Sequence, residues 1–166
     1  MTYASIDETP VTPSLKRIEE LFGLAGLSES TITWPVAGPY RISSTFGLRS
    51  HPIKRKRTFH YGLDIAAPTG TPIVSVAVGR VVFAGWRSGY GRVVEIEHGQ
   101  GWISRYAHAK SLTVKKGQLV LAGQMIAKVG SSGHATGTHL HLELEQAGKR
   151  IDPMAFWAQV NSTSAQ

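Results

Sequence analysis

Histidines recur in short motifs that can carry metal or proton chemistry. His60 and Asp64 lie four residues apart in His-Tyr-Gly-Leu-Asp, His108 ends Arg-Tyr-Ala-His, and His139 and His141 flank one leucine. The chain has no cysteine, so any metal must be held by histidines or carboxylates. Two histidines and one carboxylate are an established ligand set for catalytic zinc, which leaves a fourth position for water. Such a zinc lowers the pKa of water to about 7 and polarises a carbonyl, as amide hydrolysis requires.

The segment around the last two histidines alternates in polarity, which is typical of a half-buried strand. Side chains two apart on a strand share a face and lie roughly 6.5 to 7 Å apart along it, so both imidazoles can reach one metal. The spacing does not say which of them binds it. Each motif alone is more typical of surface histidines, and only their combination favours a metal site. One face of the predicted strand contains His139, His141, Glu143 and Glu145, and the opposite face contains Leu140, Leu142 and Leu144.

The elements that must position these residues are short Val/Ile-rich runs separated by Gly and Pro. Runs of this length with glycine turns predict an all-β fold, a compact antiparallel two-sheet sandwich or barrel. The predicted strands cover residues 72–78, 80–84, 92–97, 102–106, 119–121, 125–129 and 140–144.

The two ends of the chain differ from this β-rich region in composition and in the spacing of apolar residues. Residues 1–33 form a polar N-terminal extension, in which helical spacing from Ser14 to Gly26 predicts a short helix. Residues 34–153 form the predicted domain. Residues 154–166 are predicted to be a C-terminal helix over 154–160, with Pro153 at its first position, and then a loose tail.

Composition limits the classes of partner. The net charge of +7 favours polyanions. The run Lys54–Arg57 has no interleaved aromatic residues, so we interpret it as a solvated loop or a contact for an anionic wall rather than for nucleic acid. No apolar run reaches the roughly 18 to 20 residues of a membrane span. The N-terminus has no basic start followed by an apolar stretch, so no secretory signal is predicted in this chain.

Several motifs together resemble one known family. They are Ile42-Ser-Ser-Thr-Phe-Gly-Leu-Arg-Ser-His-Pro-Ile, the pair His60 and Asp64, Ala67-Pro-Thr-Gly-Thr-Pro-Ile, Gly79-Arg-Val-Val, Tyr106-Ala-His and Gly137-Thr-His-Leu-His-Leu-Glu. In this order, from about Trp34 to Pro153, the sequence resembles the lysostaphin-type, or LytM-type, metallopeptidases.

The resemblance implies a zinc-dependent endopeptidase that cuts peptide bonds in peptidoglycan. It implies that His60, Asp64 and His141 bind one zinc ion per chain, and that His108 and His139 are catalytic residues that do not bind it. It also implies a monomer that acts in the periplasm, in the cell envelope or as a secreted protein. The alternative is a non-catalytic wall-binding or amidase-activating module on the same scaffold, which would require a lost ligand, and none is lost here. Which peptidoglycan bond is cut stays open.

The sequence says less about the residues around these motifs. His51, His98 and His134 are expected at the surface or in loops, although His134 could line the groove. Glu143 is expected either to bond a ligand imidazole or to be solvated. The residues Arg49, Tyr61, Trp86 and Tyr90 are expected to line a cleft, to pack in the core or to lie on the ordinary surface.

Overall fold

The computed structural model describes residues 32–50 and 57–164. The predicted helix that begins at Ser14, the basic residues 54–56 and His51 lie outside these ranges. No helix among the described residues is long and apolar enough to cross a membrane.

The described residues form twelve strands and one helix. In chain order they are β1 (Arg41–Ser44), β2 (Gly47–Ser50), β3 (Arg57–His60), β4 (Leu63–Ala66), β5 (Pro72–Val74), β6 (Gly79–Arg87), β7 (Gly91–Gly99), β8 (Trp102–Leu112), β9 (Leu119–Val120), β10 (Met125–Val129), β11 (His139–Gln146), β12 (Lys149–Ile151) and α1 (Pro153–Ser164).

The strands form two antiparallel sheets, as the sequence predicts. The larger has ten strands in the order β1-β4-β11-β8-β7-β6-β9, with β10 pairing to β8 and β5, and β12 pairing to β11. The smaller is the hairpin of β2 and β3. The order of the larger sheet ends at β1 and β9, so the all-β prediction is confirmed as an open sheet and not as a closed barrel.

The apolar faces of the central strands form the core. Leu140, Leu142 and Leu144 are fully buried, which confirms the predicted alternation along β11. Residues 75–78, predicted as strand, lie outside β5 although Val76 and Ala77 are fully buried. Val76 and Ala77 are apolar because they are part of the core, although they do not belong to a strand. Strands β1 to β4 and β12 were not predicted, because three or four residues are too few to establish an alternating pattern.

Helix α1 begins where the sequence predicts. Pro153 is its first residue, and the Asp152 carboxylate accepts a hydrogen bond from the Met154 backbone N–H at 3.0 Å. Trp157 packs edge-on against Trp34, with ring centroids 5.1 Å apart. The helix continues to Ser164, so residues 161–164 are helical and the prediction of a loose tail from residue 161 is wrong.

Candidate metal centre

Strand pairing brings the predicted metal-binding residues together. β11 lies between β4 and β8, and His141 is opposite Asp64 on one side and Ala107 on the other. His60 is the last residue of β3, where it pairs with Gly47. Residues 77 positions apart in the sequence therefore meet because β4 and β11 are neighbours in the sheet.

The imidazole of His60 is oriented by a backbone carbonyl. Its Nδ1 donates a hydrogen bond to the carbonyl oxygen of Thr45 at 2.8 Å. A carbonyl can only accept, so Nδ1 carries the proton and the lone pair is on Nε2. That nitrogen lies 3.3 Å from Asp64 Oδ2.

His141 contacts a carboxylate with each of its ring nitrogens. Nδ1 lies 2.7 Å from Asp64 Oδ1, and Nε2 lies 3.0 Å from Glu143 Oε1. When Nε2 donates to Glu143 in the neutral ring, Nδ1 is free to bind a metal. Ligand atoms of His60, Asp64 and His141 all lie within 4.8 Å of one another, so these three residues could hold a metal ion. Two oriented imidazoles and a carboxylate fit the donor set that zinc requires.

The geometry favours His141 over His139 as the metal ligand, a choice that the spacing alone left open. His139 Nδ1 donates to the Gly137 carbonyl oxygen at 3.0 Å, and its Nε2 lies 3.7 Å from Asp64 Oδ1. Its ring therefore lies next to the proposed metal position, but His139 is not part of the group that shares the short ligand distances.

His108 lies close to both His139 and His141, with ring centroids 4.9 and 5.9 Å away. His108 Nδ1 donates to the Ser132 carbonyl oxygen at 2.7 Å. Its backbone N–H donates to the Tyr90 carbonyl oxygen, and its φ of 63° is a left-handed conformation that is costly for any residue with a Cβ. Burial lowers the pKa of His108, which favours the neutral form of the ring.

Glu143 is buried, and both of its carboxylate oxygens accept hydrogen bonds. Tyr90 Oη donates to its Oε1 at 2.9 Å, while Arg105 Nη1 and Arg150 Nε donate to Oε2 at 2.5 and 2.9 Å. Only 2% of the residue is exposed. The expectation that Glu143 bonds to the His141 imidazole is therefore confirmed, and the alternative expectation that Glu143 is solvated is wrong.

The pKa values reflect this concentration of charge. Burial alone would raise the pKa of Asp64 and Glu143, but hydrogen bonds from His141 outweigh it, so the pKa of Asp64 falls well below its usual range and that of Glu143 falls to about 2. Burial would lower the pKa of His141, but its bonds to the two carboxylates raise it to about 9 in the metal-free protein. The site therefore favours a bound positive charge.

An open groove of about 430 Å³ gives access to these side chains. The groove is lined by four residues for which the sequence left this position open, namely Arg49, Tyr61, Tyr90 and His134. Trp86 is not part of this lining; it is 60% exposed, beside Arg92.

The expectation for His98 is wrong. It is fully buried, its Nδ1 donates to the Val78 carbonyl oxygen at 2.8 Å, and its Nε2 lies 2.6 Å from Ser104 Oγ.

Sequence reasoning missed four residues that orient the site. Thr45 and Ser132 act through backbone carbonyls, which every residue type has, so their identities contain no signal. Arg105 and Arg150 act through long-range contacts to Glu143, and nothing in the local sequence points to that partner.

Two histidines and a carboxylate that could bind a metal ion lie in a groove on an antiparallel sheet, and comparison with known proteins identifies the family. The profile of peptidase family M23 matches residues 58–153. The chain belongs to this family, which confirms the resemblance found in the sequence.

Individual relatives include both enzymes and an activator. The chain is 43% identical over 115 residues to "DD-carboxypeptidase/endopeptidase Mpg" of Neisseria meningitidis, covering 69% of the chain and 26% of Mpg. It is 38% identical over 131 residues to "Murein hydrolase activator NlpD" of Escherichia coli, covering 78% of the chain and 32% of NlpD. The chain thus spans about a quarter to a third of the length of these relatives.

Solved structures agree with this assignment. A zinc-containing peptidase from Vibrio cholerae superposes with a TM-score of 0.71 at 37% identity, over 75% of this chain and 39% of that one. The catalytic domain of lysostaphin from Staphylococcus simulans superposes with a TM-score of 0.64 at 32% identity, over 70% of this chain and 91% of that one.

Proposed function

We propose that the chain is a zinc-dependent endopeptidase that hydrolyses peptide bonds in peptidoglycan crosslinks or stem peptides. The observation that best supports this is the convergence of His60 Nε2, the Asp64 carboxylate and His141 Nδ1 in a groove that also contains His108 and His139. The peptidase domain of this proposal comprises residues 34–153, holds one zinc ion and acts as a monomer.

His60, Asp64 and His141 would hold the zinc. When bound there, zinc supplies a Lewis acid that polarises a carbonyl and makes water a stronger nucleophile. His108 and His139 are held through Nδ1, so in the neutral rings the lone pair on Nε2 is available to accept a proton. The resulting imidazolium can then donate that proton to the leaving amine.

The relatives support the choice of substrate. Mpg is named as a carboxypeptidase and endopeptidase, and another relative, from Vibrio cholerae, is named as a peptidoglycan endopeptidase. Peptidoglycan as substrate places the protein in the cell envelope, the periplasm or outside the cell. The net charge of +7 is consistent with attraction to an anionic wall.

The similarity to NlpD supports a second candidate, a non-catalytic module that activates another murein hydrolase. The complete set of metal donors, with His108 and His139 beside it, favours the enzyme. The two candidates differ in whether the purified chain itself releases peptides.

The test combines zinc stoichiometry with digestion of purified peptidoglycan, with fragments identified by mass spectrometry. We expect the wild-type chain to bind one zinc, to lose digestion with a chelator and to regain it with zinc. His141→Ala should lose both zinc and digestion. His108→Gln should keep zinc, while its rate should fall by a factor of about 10² to 10⁴, the usual contribution of a general acid or base.

Full digestion by the His108→Gln variant would overturn the acid–base role proposed for His108 and would leave the peptidase proposal standing. A zinc-loaded wild-type chain that releases no peptide but accelerates an added amidase would overturn the enzyme proposal and would instead support the activator.

A further inference from the structure

A second cavity, of about 560 Å³, adjoins the metal groove. Phe59, Tyr61 and Tyr90 line both cavities, and the second one continues to Gly148, in the turn after β11, and to the first two residues of β12. Tyr90 and Arg150 both bond to Glu143, which bonds to His141. Residues that line the second cavity are therefore connected to the proposed metal ligand His141 through the Glu143 carboxylate.

One wall of this cavity is aromatic. Phe46 contacts Phe59 edge-on with ring centroids 5.0 Å apart, and Phe59 contacts Tyr61 at 4.8 Å. Phe59 is 41% exposed and Tyr61 is 55% exposed. Exposed aromatic rings that line a concave surface favour contact with the apolar part of a ligand.

Two residues that line the cavity, Lys149 and Arg150, are basic. Arg150 is already compensated by Glu143 and Glu145, at 2.9 and 3.3 Å. Lys149 is exposed and forms no ion pair with any residue in the described part of the chain. None of the described residues that line this cavity is acidic, so Lys149 provides an uncompensated positive charge there.

We propose that this second cavity is a substrate subsite that binds a carboxylate-bearing portion of the peptide whose scissile bond lies in the metal groove. The aromatic wall contacts the aliphatic part of that portion, and Lys149 pairs with its free carboxylate. The inference rests on the proposed peptidase function. A single uncompensated lysine beside exposed aromatic rings offers one positive charge and an apolar contact, which suits a peptide that has a free carboxylate.

The test uses crosslinked disaccharide-peptide fragments of peptidoglycan, either with free carboxylates or fully amidated. Dissociation constants are measured with the zinc-loaded His108→Gln variant, and kcat/KM with the zinc-loaded wild-type background. We expect the carboxylate form to bind about fivefold more tightly, the size of one exposed charge pair. Lys149→Glu should reverse this preference and Lys149→Arg should keep it. The matched control is Lys116→Glu, an exposed lysine outside both cavities, which should not change it.

The outcomes separate this inference from the proposed function. Cleavage with equal affinity for the two forms, or a preference that Lys149→Glu leaves unchanged, overturns the subsite and leaves the peptidase proposal standing. A preference that depends on Lys149 without any cleavage supports carboxylate binding at Lys149 but overturns the peptidase, and with it the role of the cavity as a substrate subsite. Competition by a soluble polyphosphate that depends on Lys149, with no difference between the peptide forms, assigns the cavity to phosphate and overturns the inference.

Discussion

Each proposed histidine ligand is held by a hydrogen bond on the side away from the metal position. His60 is fixed by the Thr45 carbonyl and His141 by the Glu143 carboxylate. These bonds select the tautomer and orient the ring before a metal arrives, which reduces the cost of ordering the site. Glu143 is the more specific of the two partners, because its own position depends on two arginines and a tyrosine.

We therefore predict that Glu143→Gln weakens zinc binding by about 10- to 100-fold, the usual effect of removing such a supporting partner. The amide has nearly the same shape but removes the negative charge that stabilises the donating His141 ring. Arg105 and Arg150 also lose an anionic partner, so the melting temperature should fall. Isothermal titration with zinc measures the first effect. Glu97→Gln, at an exposed position on β7, is the matched control; equal zinc affinity in the two variants would contradict the role of Glu143.

At the scale of elements, the site depends on how closely the segment before β4 approaches β11. Gly62 lies against β11, where an added Cβ would be 2.6 Å from the Leu142 carbonyl oxygen and 2.7 Å from His141 Cε1. Contacts that short do not occur in real structures, so only glycine allows this approach with His141 in place.

Gly62→Ala should therefore displace His141 or β11, because neither the carbonyl nor the packed imidazole can yield without moving the strand. We expect a loss of stability of about 1 to 3 kcal/mol and at least a roughly tenfold loss of zinc affinity. Thermal melting and zinc titration measure these effects. Gly85→Ala, in β6 and outside the metal groove, is the control, since an added Cβ there comes no closer than 3.5 Å to another atom, the end of the Phe83 ring. Similar zinc affinities for the two variants would show that the close approach does not control the site.

At the scale of the whole molecule, His98 makes the free energy of unfolding depend on pH, although it is not part of the metal site. His98 is buried in the larger sheet, and burial lowers its pKa to about 4, although its bond to Val78 acts in the opposite direction. In the unfolded chain its pKa is about 6.5. Between these two values the unfolded state binds more protons than the folded state, so the free energy of unfolding rises with pH over this window and is level above it.

We predict that zinc-free wild-type protein loses on the order of 3 kcal/mol through His98 as the pH falls from about 7 to 4. Urea unfolding of the wild type and of His98→Gln, both in chelator, measures this contribution as a difference. The difference in the free energy of unfolding should be largest near pH 7 and should shrink towards pH 4. A difference that does not depend on pH would mean that His98 is not a buried neutral histidine.

The all-β class, the alternating strand β11 and the candidate site residues could be predicted from the amino-acid sequence. Residue type and periodicity are local properties, so they can be interpreted without knowledge of contacts. The resemblance also supplied the roles proposed for His60, Asp64, His141, His108 and His139, which the geometry supports.

The orientation of the imidazoles and the identity of their hydrogen-bond partners could not be predicted, because they depend on how the strands pack together. The difference between His139 and His141 arises from which acceptors face each ring nitrogen, namely Gly137 for one and Asp64 with Glu143 for the other. The burial of Glu143 and His98 likewise depends on strands that are distant in the sequence, such as β8 against β11 and β7 against β8. These properties arise from long-range pairing, and no local pattern of residues contains them.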